Sequence, residues 1–210
     1  MTVFSKFLSF GLMAALTLSA AHAGAPQCPT RDALERGRSA YVAYPDGSVV
    51  ALRLLGGGKV QETTRFDDHV GEFRMVSLGG VFIADEVDLS GERVDESSRI
   101  TTSYPADLAK RLPLRPDQEF TLVAENSFAD GTPSEQELLE VRTGDEAEIE
   151  IAGCRVRAFP VLLTYRWGED HFTSMMTHLP GLGISLELAR VDPATEPEPF
   201  APMHFSLERP

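Results

Sequence analysis

The chain has 210 residues, 42% of them hydrophobic and 24% charged, and a formal net charge of −13. Such acidity repels polyanions, so nucleic acid is not expected as a partner, and anionic lipid head groups are disfavoured unless a local basic cluster intervenes. The sequence holds no dense cluster of that kind; Arg155 with Arg157 comes nearest, and glutamates precede the pair.

The first twenty-three residues read as a secretory signal: Lys6 supplies the positive start, Phe7 to Leu18 is an apolar run, and Ala21-His22-Ala23 ends it with small residues where signal peptidase reads. Cleavage after Ala23 leaves 187 residues with a net charge of −14, enough for one domain over 24–191 and a tail over 192–210. A lipoprotein signal needs a cysteine directly after the small-residue box, whereas Cys28 follows Pro26-Gln27, so lipid anchoring is not expected. With no second apolar run of spanning length, the reading is a soluble periplasmic protein without a transmembrane segment. Cys28 and Cys154 are the two cysteines of a chain sent to an oxidising compartment, and they are expected to pair as a disulfide.

From there the elements are read in chain order. Thr30 is a plausible N-cap for a short helix to Arg36. Strands follow at Ser39–Tyr44, Val49–Leu55 and Val60–Phe66, punctuated by Pro45-Asp46-Gly47 and Gly56-Gly57-Gly58. Further strands cover Phe73–Leu78, Val81–Leu89 and Arg99–Tyr104. Pro105 to Arg111 suits one or two helical turns, with Ala106, Leu108, Ala109 and Leu112 on an apolar side. Phe120–Glu125 and Leu138–Thr143 resume the strand pattern.

Between Glu146 and Ile151, acidic and apolar residues alternate in strict period two, which defines a half-buried strand. A two-residue turn at Ala152-Gly153 then pairs Glu150 with Arg155, Glu148 with Arg157, Ile149 with Val156 and Ile151 with Cys154. Charges share one face and Cys154 lies on the core side. Past Ala158 the apolar set moves to Phe159, Val161, Leu163, Tyr165 and Trp167, a change of parity that calls for a bulge near Phe159-Pro160. His171 to Thr177 and Ile184 to Val191 complete the strands. Prolines mixed with acids after Asp192 predict an extended, solvated tail. The whole is all-β with one or two short helices: a curved antiparallel meander sheet, a half-barrel or open barrel.

Candidate chemistry is sparse. Asp68 with His69 and Asp170 with His171 offer the ligand types of a divalent metal site, but both groups sit where strand pattern breaks, as ordinary turns do. Met175-Met176-Thr177-His178 and Met203-His204 carry copper-type ligands, yet adjacent strand residues face opposite ways. Met75-Val76-Ser77-Leu78-Gly79 lacks the first glycine and the following helix of a nucleophile elbow. No catalytic constellation is assigned and no cofactor is expected. The stretches Val49–Leu55 and Val81–Ala84 are apolar on both faces, so Val49, Leu52, Leu54 and Phe82, with Leu163, Tyr165 and Trp167, are candidates to line an apolar cavity; core packing is the ordinary alternative.

The half from Phe120 to Val191 resembles a group of exported bacterial proteins of unknown function whose curved sheet is similar to that of the outer-membrane lipoprotein carriers. The resemblance rests on the strand Glu146 to Ile151, the turn Ala152-Gly153-Cys154, the long strand to Trp167, and His178-Leu179-Pro180-Gly181-Leu182-Gly183-Ile184. It implies an open barrel that binds apolar groups, with no family catalytic residue to carry over. The expected function is therefore a periplasmic binding or accessory protein for a hydrophobic small molecule, a lipid or an envelope protein. A hydrolase built on an acidic-histidine group, and a structural interaction protein with a filled core, are the alternatives.

Overall fold

The computed structural model describes residues 27–66, 71–91, 93–191 and 198–210, so the expected signal segment 1–23 lies outside the described residues. The Thr30 hydroxyl accepts from the amide of Ala33 at 3.3 Å and so caps α1 (Arg31–Glu35), as its side chain predicts. This helix buries Ala33 and Leu34, and Arg31 reaches across to donate to the Leu182 carbonyl at 2.9 Å.

Strands β1 (Ala40–Ala43), β2 (Val49–Leu54), β3 (Lys59–Arg65), β4 (Glu72–Leu78) and β5 (Phe82–Ser90) follow as successive hairpins. The short β6 (Arg93–Val94) folds back on one end of β5, and β7 (Ile100–Ser103) pairs further along it. After α2 (Leu108–Arg111) come β8 (Glu119–Phe128), β9 (Glu135–Thr143), β10 (Ala147–Ile151), β11 (Cys154–Trp167), β12 (Asp170–Leu179), β13 (Ile184–Val191), β14 (Glu198–Pro199) and β15 (His204–Ser206). All pair antiparallel in one curved 15-stranded sheet that runs from β14 at one edge to β15 at the other and does not close into a barrel. The expected fold class is the observed one.

The hairpin of β10 and β11 has the register that its charge pattern predicts: Ile151 opposite Cys154, Glu150 opposite Arg155, Ile149 opposite Val156 and Glu148 opposite Arg157. Ala152 (φ 47°) and Gly153 (φ 84°) are both left-handed, which is what a two-residue turn matched to strand twist requires. The irregularity expected at Phe159-Pro160 lies instead on the facing strand. Thr143 is opposite Val161 and Ala147 opposite Ala158, so β9 and β10 take one residue more than β11 to cover the same length. Pro160 itself stays in register, opposite Thr177 of β12.

That change of parity has a packing cause. Cys154 and Ala158 pack into one core cluster with Leu34, Val42, Leu52, Ile184 and Phe205. Phe159, Val161, Leu163 and Tyr165 belong to a second, with Phe82, Leu108, Phe120 and Leu139. β11 therefore hands its apolar face from one core to the other between two consecutive buried residues.

The tail departs from expectation. Residues 192–197 lie outside the described ones, but His204–Ser206 return as β15 and add to β1, with Phe205 opposite Val42 and fully buried. A solvated tail was expected because prolines and acids dominate its composition; the apolar pair Phe205 and Leu207 outweighs that composition locally, since each gains about 2 kcal/mol on burial. The cysteines are joined as expected: the Cys28–Cys154 disulfide spans 126 residues of sequence with its Cα atoms 5.6 Å apart, and ties the segment before α1 to the β10–β11 hairpin.

Candidate functional site

An apolar groove of about 550 Å³ opens beside α2, between the start of β3, the end of β4 and residues 102–113. Glycines Gly57, Gly58 and Gly79 form part of its floor. The β4–β5 turn brings the Gly79 amide to the Gly58 carbonyl at 2.8 Å, and Gly79 has φ +62°. That φ favours glycine, and a Cβ there would meet Leu112 Cδ2 at 2.7 Å, so a larger residue would displace the Leu112 side chain from its place across the turn.

The far wall is hung on buried anchors. Leu108 and Leu114 sink into the second core cluster, while Tyr104 sets its ring edge against Phe82 at 5.7 Å and donates its hydroxyl to the Ile83 carbonyl at 2.7 Å. The Arg111 guanidinium lies 4.5 Å from the Phe120 ring centroid, and one of its nitrogens is 3.6 Å from Asp107. Held at both ends in this way, the segment leaves Ala106, Ala109, Leu112 and Pro113 facing the groove. Thr102 Oγ1 donates to Asn126 Oδ1 at 2.8 Å, so both hydroxyl-bearing side chains of the wall are already engaged. The groove offers an incoming molecule apolar surface and no ionisable side chain other than the engaged Tyr104. Its chemistry is to remove an apolar group from water.

A polar interior lies between β2–β5 and the facing strands β11–β13. Glu62, Met75, Ser77, Tyr165, Ser174 and Glu187 border a cavity of about 50 Å³. Met75, Glu187 and Arg190 also border a wider cleft of about 270 Å³ that Tyr44, Thr64 and Phe200 help to form. Glu187 accepts from Ser174 Oγ at 2.7 Å and from Arg190 Nε at 2.9 Å, and its backbone carbonyl accepts from the Tyr44 hydroxyl at 3.2 Å. Burial, then the nearby Glu187, pushes the Glu62 carboxyl up to about 7; burial, then Asp88, raises Glu86 against the opposing Arg190. Glu137 is raised by burial against its hydrogen bond with Asn126.

The residues singled out in the sequence are distributed over the fold. Leu52 is fully buried in the first core cluster with Leu54 at its edge; Phe82 and Leu163 are fully buried in the second. Tyr165 walls the small interior cavity and stacks on Phe172 at 4.6 Å, and Trp167 lies 5.5 Å from the same ring. Val49 borders a separate, polar cleft with Arg53 and Arg65. They do not form one site. Asp68 and His69 lie outside the described residues. Asp170 and His171 stand at the start of β12 opposite Trp167 and Arg166, and among the described residues no group of three or more His, Cys, Asp or Glu is placed to hold a metal ion. His178 is a buried core histidine: its Nδ1 meets Ser185 Oγ at 2.9 Å, its ring lies 5.0 Å from Phe159, and burial pushes it down to about 4, so it is neutral. Met175, at a register shift in β12, and Met203 are exposed.

The sequence carried one signal for the groove, the apolar side of residues 105–112. Leu108 turned out to be its anchor and Ala106, Ala109 and Leu112 its wall. Tyr104, Thr102 and the Gly58–Gly79 contact were not legible, because they come together only through long-range strand pairing.

Fold and site together describe an open, curved antiparallel sheet with an apolar groove beside a short helix. No protein-family model matches the sequence, and no curated protein does. Among solved structures the chain is similar to the crystal structure of the hypothetical lipoprotein YmcC from Escherichia coli (K12), with a TM-score of 0.43 and 13% identity over 83% of this chain and 89% of that one. Among the described residues no helix is long and apolar enough to cross a membrane.

Proposed function

We propose that this protein is an exported binding protein that holds the apolar part of a hydrophobic envelope molecule in the groove beside α2. The observation that carries the reading is the groove itself. At about 550 Å³ it falls in the size range of small-molecule sites, and its wall hydroxyls are spent on internal partners. Burying an alkyl chain there gains about 0.8 kcal/mol per methylene, so a chain of ten carbons contributes about 8 kcal/mol before the cost of immobilisation is subtracted. Export into an oxidising compartment, the periplasm, fits the signal-like start of the sequence and the Cys28–Cys154 disulfide.

The test is a titration with a neutral, polarity-sensitive fluorescent probe. The native protein is expected to bind saturably, and Ala106→Trp, which fills the groove from an exposed position, should weaken binding at least about 10-fold while the Tm stays within about 2 °C. Equal probe affinity in the two proteins would contradict the assignment of the groove.

A further inference from the structure

We infer that the natural occupant of this groove is a single-chain amphiphile with an anionic head group, its alkyl chain in the groove and its head held by Lys59 and Lys110. The inference rests on the groove being the binding site, and its observations are independent of the groove's apolar lining.

The chain has three lysines in all: Lys6, in the signal-like start, Lys59 and Lys110. The two that remain each stand next in sequence to a residue that lines the groove. Lys59 directly follows Gly58, which lines the groove, and stands opposite the groove residue Leu78 in the β3–β4 register, where paired side chains rise on the same face. Lys110 directly follows the groove residue Ala109 on α2. Both are exposed.

Their charge is uncommitted. Every ion pair among the described residues is made by an arginine, Arg111 at the same rim included, and neither lysine has a carboxylate within ion-pairing distance there. In a protein of net charge −13, two ammonium groups without an ion pair among the described residues, each adjacent to a residue of the apolar groove, form a local site of opposite sign. An ammonium is a flexible point charge that accepts carboxylate or phosphate without a fixed geometry. The net acidity still acts against extended anionic surfaces, so one amphiphile at a time is bound rather than a bilayer.

The experiment compares two twelve-carbon amphiphiles below their micelle concentrations, dodecyl phosphate and the neutral monododecanoyl glycerol, against the native protein and the exposed double variant Lys59→Gln with Lys110→Gln. The native protein is expected to bind the phosphate about 10-fold more tightly at low salt. That preference should shrink at about 0.5 M salt and vanish in the double variant, whose affinity for the neutral amphiphile is unchanged. Equal affinities in the native protein overturn the head-group assignment and leave the groove standing. A preference that survives in the double variant overturns the role of the lysines, and inorganic phosphate binding as tightly as dodecyl phosphate overturns the amphiphile. If neither amphiphile binds, the groove reading fails as well.

Discussion

Replacing Cys28 and Cys154 together by alanine is expected to lower the free energy of unfolding by about 5 kcal/mol, the largest effect of any change considered for this protein. The figure follows from the length of chain enclosed: a closure spanning 126 residues removes much of the conformational freedom of the unfolded ensemble. What the bridge holds is visible in the contacts around it. Cys154 is fully buried in the first core cluster, and the Gln27 carbonyl, one residue before Cys28, accepts from the Leu207 amide at 2.8 Å and from Ser206 Oγ at 3.2 Å. The N-terminal segment, the β10–β11 hairpin and the edge strand β15 therefore meet at one point. Urea titration of the two proteins reads the effect as a fall of roughly 2 M in the midpoint. An unchanged midpoint would mean that the native contacts alone constrain this corner.

The second large effect depends on pH. Glu62 stands on β3 opposite Leu52 on one side and Met75 on the other, and borders the interior cavity shared with Glu187. Its carboxyl is raised from 4.5 to about 7, by burial first and by Glu187 second. An acid whose pKa is higher in the folded state takes up a proton on folding. Its contribution is therefore most favourable below the unfolded value near 4.5 and declines as pH rises through about 7. The decline amounts to at most about 3 kcal/mol, less where water reaches the half-buried carboxyl. Glu62→Gln abolishes the titration and keeps the shape. The variant is expected to match the native protein within about 0.5 kcal/mol near pH 4.5 and to exceed it by up to about 3 kcal/mol at pH 8.5. Thermal or urea unfolding at the two pH values measures this directly; the same difference at both would show that the carboxylate is solvated. Glu86 and Glu137 titrate in the same direction and are common to both proteins, so they cancel in the comparison.

Local pattern carried the fold a long way. The alternation from Glu146 to Ile151 and the turn at Ala152-Gly153 specify a hairpin register with no tertiary information, because side-chain period and turn length leave one pairing that keeps charge with charge. Thr30 marked its helix for a similar reason, since the capping bond spans three residues. Partner choice over long range was not legible. The parity change at Ala158 and Phe159 looks in the sequence like a fault in one strand, yet the extra residue sits on β9–β10, and the change reflects two separate core clusters served by one strand. β15 was hidden because composition averages over a segment, whereas burial is decided by Phe205 and Leu207 individually. Apolar strands such as Val49–Leu54 marked core as readily as cavity, because both demand the same side chains. The groove came instead from a short helical segment packed over a turn. Its two lysines, distant in sequence, escape any search for a run of basic residues.

Methyl-resolved NMR of the native protein, titrated with a neutral twelve-carbon alcohol, tests the central claim most directly. The account predicts saturable shifts at the methyls of Leu78, Ala106, Ala109 and Leu112, while those of the core residues Leu52 and Leu163 stay still. Shifts concentrated in the core or along the interior cleft, or none at concentrations that saturate the fluorescent probe, would contradict it.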